Sequence, residues 1–132
     1  MDDGRYNILL EGMCRFNVLR ELNVSTPFRQ VEAEFWTEVE DDEVLAAVER
    51  ASLEQEAQRF AADSGYEVDW DAVARLDDHS LVNGMAQVIP FDPAAKQALL
   101  EAEGLAVRAS MLTQMIQFAR RGSGSADGAA LQ

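Results

Sequence analysis

The stretch DGRYNILLEGMCRFNVLREL (Asp3 to Leu22) decides the fold. Tyr6, Ile8, Leu10, Cys14, Phe16 and Val18 share one parity and are apolar, whereas Asn7, Glu11, Arg15 and Asn17 share the other, with Leu9, Met13 and Leu19 among them. Period two with aromatic and β-branched residues predicts a long strand laid on a core by one face. Gly12 interrupts the apolar parity, as at a bulge or bend. Cys14 falls on the core parity and reads as a small buried hydrophobe.

Working outward, residues 23–27 supply turn chemistry. FRQVEAEFWTEV (Phe28 to Val39) then alternates again, Val31, Ala33, Phe35, Thr37 and Val39 against Gln30, Glu32, Glu34 and Glu38. This is the second strand of an antiparallel pair. Trp36 falls on its acidic parity, either packed on a loop or on the helical subdomain, or belonging to an exposed patch that meets a partner or unfolded substrate. Leu9, Met13 and Leu19, on the polar parity of the first strand, extend that patch, and these four residues are the candidate contact site.

From residue 41 the period becomes helical. Asp41 or Asp42 is placed to cap a helix carrying Leu45, Val48, Leu53, Ala57 and Phe60 and ending at Gly65. Asp69 caps a short helix with Trp70, Val73 and Leu76, Trp70 packing inward. Another starts near Asp78, with Leu81, Val82, Met85 and Val88, and stops at Pro90. FDPAAKQALLEAEG has Asp92 at the N-cap, Pro93 at the first helical position and Gly104 past the end. A last helix carries Leu105, Arg108, Leu112, Met115 and Ala119, with Arg120 and Arg121 suited to its C-terminal dipole. Residues 122–132, small and glycine-rich, read as a disordered tail. The fold class is therefore α+β: a long antiparallel hairpin over residues 3–39, a helical subdomain over 41–121, and the tail.

Composition narrows the chemistry. The 132 residues amount to one domain's worth of chain, and 24 acidic against 11 basic side chains give a net charge of −13. Counterion release from phosphates needs cations, so nucleic acid is disfavoured as a partner, as is an anionic membrane. Nothing apolar approaches the length of a membrane span, and the first residues lack the features of a signal peptide, which predicts a cytoplasmic protein. No phosphate-cradling G-x-x-x-x-G-K-[ST] loop is present. Lys96, the single lysine, reads as a surface side chain with its head in water. His79, beside Asp77 and Asp78, reads as an exposed histidine at a helix start rather than a metal ligand. The acidic run Thr37 to Glu43 lacks the glycine and ligand alternation of a calcium loop. No cofactor, metal or catalytic residue is predicted.

The ordered set of G-x-x-R-F (Gly12, Arg15, Phe16), Pro27-Phe28-Arg29 and PFDPAAKQALLEA (Pro90 to Ala102) resembles the substrate-binding domain of the Lon protease family, most closely its small stand-alone bacterial form. The likeness spans roughly residues 3 to 118. It implies a β-rich part followed by a helical part. In the family, strands bearing L-P-L-F-P and P-R-Y segments precede the G-R-Y stretch. This chain has neither, so it is expected to begin inside the β subdomain and lack the N-terminal strands. The resemblance implies a non-enzymatic module that binds unfolded or degron-bearing polypeptide, in the company of an ATP-dependent protease. The alternative is an assembly protein that forms homodimers through its exposed strand edge.

Overall fold

The structure is a computed structural model that describes residues 4–37 and 43–130, the last eight of these in their backbone only. The chain divides into two compact units, residues 1–40 and 41–132.

The first unit is a β-hairpin of β1 (Phe16–Glu21) and β2 (Val31–Phe35), paired antiparallel. Phe16 lies opposite Phe35, Asn17 opposite Glu34 and Val18 opposite Ala33; the register then slips, and Arg20 faces Glu32 and Glu21 faces Val31. Leu19 is the extra residue. The bulge therefore sits at Leu19 and not at Gly12. Pairing reaches Leu22, whose N–H donates to Gln30 O (2.8 Å), and at the open end Trp36 N–H donates to Arg15 O (2.9 Å).

The strand expected from Asp3 is much shorter than its alternation. Residues 5–15 have no regular structure. Alternation marks a two-faced segment, but a strand exists only where a second backbone accepts its hydrogen bonds. Among the described residues no second backbone pairs with residues 5–14, and the last ladder bond is the one from Trp36 N–H to Arg15 O. Tyr6, Ile8 and Leu10 are consequently exposed. So is Cys14, which corrects its reading as a buried hydrophobe.

The second unit holds α1 (Ala47–Ser64), α2 (Trp70–Ala74), α3 (Asp78–Val88), α4 (Pro93–Glu101) and α5 (Leu105–Ala130). Its core is Leu45, Leu53, Leu81, Val82, Ile89, Leu99, Leu105, Ala109, Leu112 and Ile116, with Phe60, Val73, Met85 and Phe91 packed against it. On α5 the buried residues step by four, three and four, the spacing of one helical face. That face is rotated from the expected one: Ala109 and Ile116 are inside, and Arg108 serves elsewhere. Val48 of α1 is exposed, while Glu56 and Ala61 are buried.

Caps within a few residues of their helices are as the sequence implies. The carboxylates of Asp69, Asp77 and Asp92 accept from the backbone N–H of Ala72, Ser80 and Ala95. Gly65 closes α1 at φ 75°, a left-handed position that favours glycine. Asp92→Ala should lower the stability of the helical unit by about 1 kcal/mol in urea unfolding, with Glu67→Ala, at an exposed position outside the helices, as the control. Helix α1 opens at Ala46 without a side-chain cap; Asp41 and Asp42, like residues 38–40 of the acidic run, lie outside the described residues.

Contacts distant in sequence hold the ends of the other helices. Glu43 accepts from Leu105 N–H (2.8 Å), capping α5 from 62 residues away. Arg120, expected to serve the C-terminal dipole of its own helix, instead bonds Glu56 (2.9 Å) and Asp63 (3.0 Å) of α1. With Glu43 beside the start of α5 and Glu56 and Asp63 beside Arg120, α1 and α5 run in the same direction. Among the described residues no helix carries a cation in its last turn. Neighbours supply them: Arg108 donates to Leu99 O and Ala102 O at the end of α4, and Lys96 to Gln87 O (2.9 Å) at the end of α3. The backbone of α5 continues helically to Ala130, through the stretch whose composition reads as a disordered tail; propagating an existing helix needs only one further bond per residue.

Candidate functional site

Two faces follow from the hairpin register. Phe16, Val18, Val31, Ala33 and Phe35 share one face, joined past the bulge by Glu21. The rings of Phe16 and Phe35 meet edge to face, 6.3 Å between centroids and 66° between planes. Yet Phe16 remains 51 % exposed and Phe35 69 %. An apolar face of this kind ordinarily lies on a core, and here it is open to solvent. The sequence signalled the face correctly, but alternation carries no information about what covers it.

The opposite face bears Asn17, Arg20, Glu32 and Glu34, and at the open end Arg15 and Trp36. Arg20 pairs with Glu32 directly across the ladder. The Arg15 guanidinium lies over the Trp36 ring, 4.2 Å from its centroid. This accounts for a tryptophan on the polar parity: the cation and the indole roof one another. Trp36 is half-buried, and its Nε1 is buried with no hydrogen-bond partner among the described residues. At the closed end Arg29 donates to both carboxylate oxygens of Glu21 (2.7 and 2.9 Å). That fork holds the Glu21 carboxyl below its ordinary range. Thr26 Oγ1 donates to Phe28 O within the loop, whose outer side forms an open dent lined by Leu22, Val24, Pro27 and Phe28.

The four predicted contact residues occupy three settings. Leu9 and Met13 are almost wholly exposed in the segment before β1; Leu19 is the exposed bulge residue; Trp36 lies beneath Arg15. Leu19 and Trp36 both belong to the hairpin but are about four ladder steps apart, roughly 13 Å. The residues missed are Phe16, Val18, Val31 and Phe35, assigned to a core by parity.

In the helical unit the ionisable side chains considered for metal chemistry are committed to structure. Asp77 caps α3, and that backbone bond lowers its pKa. Asp78 accepts from Arg50 and from Leu45 N–H, both lowering its pKa. His79 is half-buried, not exposed as expected, and Lys96 is half-buried with its ammonium donating to the Gln87 carbonyl at an exposed position. Among the described residues no group of three or more His, Cys, Asp or Glu side chains is placed to hold a metal ion, and no described helix is long and apolar enough to cross a membrane.

The hairpin thus offers two things a polypeptide can use: apolar area to bury and strand edges to pair with. No curated relative and no solved structure matched the chain. Residues 1–117 match the model of the ATP-dependent protease La (LON) substrate-binding domain, and the chain belongs to that family.

Proposed function

We propose that this protein is a non-catalytic polypeptide-binding module that takes up unfolded or degron-bearing protein through its hairpin unit. The observation that carries this reading is the solvent-open face of Phe16, Val18, Val31 and Phe35; Leu9, Met13 and Leu19 are exposed as well. Apolar area is worth about 25 cal/mol per Å² removed from water, and an unfolded client is the partner with free apolar side chains to cover it. Membership in a substrate-binding family supports the same reading. A module of this kind serves in the cytoplasm as an adaptor or holdase beside an ATP-dependent protease, not as the protease. The net charge of −13 argues against nucleic acid as the partner.

The test is titration of a permanently unfolded, reduced polypeptide against its folded form, with Trp36 fluorescence read in a Trp70→Phe chain. Saturable binding of the unfolded form alone is expected. The triple change Leu9→Ser, Met13→Ser, Leu19→Ser should weaken it about tenfold, since a few apolar anchors carry most of such an affinity. Equal binding by the triple variant would remove these residues from the site. The exposed apolar face of the hairpin supports a second reading, assembly into homodimers; concentration-dependent dimers that ignore the polypeptide would establish that reading instead.

A further inference from the structure

The hairpin ladder settles which backbone groups are left over. The bonds at Arg15–Trp36 and Leu22–Gln30 fix the alternation, so Asn17–Glu34 and Arg20–Glu32 are the bonded pairs between them. On β2 the N–H and C=O of Val31, Ala33 and Phe35 therefore point away from β1, and no further strand pairs there among the described residues. The outer edge of β1 is broken by the bulge at Leu19, a usual way of disabling an edge. The edge of β2 is unbroken and contains no proline.

A second copy of the chain is a poor occupant for it. In any register that pairs the outward groups of two antiparallel β2 edges, odd residues face odd and even face even. With Ala33 on the dyad, Glu32 of each copy lies opposite Glu34 of the other. A shift by two places Glu32 against Glu32, or Glu34 against Glu34. These are the non-hydrogen-bonded positions, where side chains approach most closely and like charges destabilise. Arg20 offsets the charge of Glu32, but Glu34 faces the neutral Asn17 across the existing ladder, with no ion pair to it among the described residues.

Resting on the polypeptide-binding reading above, we infer that the β2 edge accepts an extended segment of alternating apolar and basic residues as a third strand. Its apolar residues lie beside Val31, Ala33 and Phe35, widening the face that Phe16 and Phe35 begin, with the small Ala33 leaving room for a bulky side chain. Its basic residues lie opposite Glu32 and Glu34. Backbone bonds give affinity, and the two alternating rows give selectivity.

The probes are a capped ten-residue peptide alternating valine and arginine, a block-scrambled peptide of the same composition, a version with glutamate for arginine, and a version N-methylated along one bonding edge. The full-length chain should bind the first, weakly or not at all the others, and slow the amide exchange of Val31, Ala33 and Phe35. Glu32→Gln with Glu34→Gln should weaken binding about fivefold and flatten its salt dependence. Ala33→Pro removes an outward N–H that β1 does not use, and should abolish binding with the helical circular dichroism unchanged. Scrambled or methylated peptide binding as tightly as the alternating one overturns strand addition while leaving general polypeptide binding intact. Failure of every peptide and of unfolded polypeptide overturns both. A doubly neutralised chain that still refuses to dimerise also counts against the inference, because the glutamates would then not be what keeps copies apart.

Discussion

Replacing Leu112 by alanine is expected to destabilise the helical unit by about 3–4 kcal/mol, the largest effect of any single change proposed for this chain. Leu112 lies two turns into α5, wholly buried, in a core built from α1, α3, α4 and α5 together with Leu45 of the segment before α1. Truncation loses the transfer free energy of the missing carbons and leaves a void whose walls come from several helices. Those helices are held in place by contacts of their own, among them Arg120 to Glu56 and Glu43 to Leu105 N–H. The walls therefore have little freedom to collapse inward. In a unit of this size the loss corresponds to a Tm lower by on the order of 15 °C. Urea unfolding followed at the helical circular dichroism band measures it, with half-exposed Val107→Ala as the control expected to fall within about 0.5 kcal/mol of the parent. A loss under 1 kcal/mol at Leu112 would mean that the core is centred elsewhere.

What could be read from the sequence was whatever acts within one turn of chain. Asp69, Asp77, Asp92, Pro93 and Gly65 mark helix ends because a carboxylate three residues before an N–H, or a glycine one residue past a helix, is a local arrangement. The caps supplied from afar gave no such sign. Glu43 sits in an acidic run that any solvated segment would carry, and only the fold brings it to Leu105. The length of β1 was misread for a related reason. From Tyr6 to Val18 the alternation is interrupted only at Gly12, yet among the described residues ladder bonds begin where Arg15 meets Trp36, because periodicity marks a two-faced segment and not its pairing. The site was half legible. Trp36 was singled out because it broke the pattern of its strand, but its explanation lies in Arg15, 21 positions earlier and across the ladder. The aromatic face of the hairpin reads from sequence as a core face, because alternating residues look the same whether their apolar face is covered or open to solvent.

Asp78→Ala should cost the helical unit about 3 kcal/mol, because one carboxylate joins three segments. Its Oδ1 accepts from Arg50 Nη1 of α1 at 2.6 Å, and its Oδ2 accepts from the backbone N–H of Leu45 at 2.7 Å. Arg50 in turn bonds Glu54 at 2.9 Å and reaches the carbonyls of Val73 and Ala74 at the end of α2. Both charged side chains are mostly buried, 21 % exposed for Arg50 and 15 % for Asp78. Removing the acid strands the Leu45 N–H, leaves the arginine with only one carboxylate, and deletes a negative charge from the first turn of α3. Asp78→Asn keeps an acceptor and should cost less, about 1–2 kcal/mol. The pair of variants also separates charge from shape through pH. The Arg50 bond, then the Leu45 bond, lower the Asp78 pKa in the folded chain. A carboxyl so depressed contributes its stability above the unfolded value, near 3.9, and loses it as pH falls through the folded value. Urea midpoints measured from pH 7 down to pH 2 should therefore fall in the parent below about pH 4, and fall less in Asp78→Asn. A residual acid limb is expected in that variant, since Asp77 is depressed as well by its bond from Ser80. Identical acid limbs in parent and variant would show that the Arg50–Asp78 bond carries no linkage, and that the three segments are joined by packing alone.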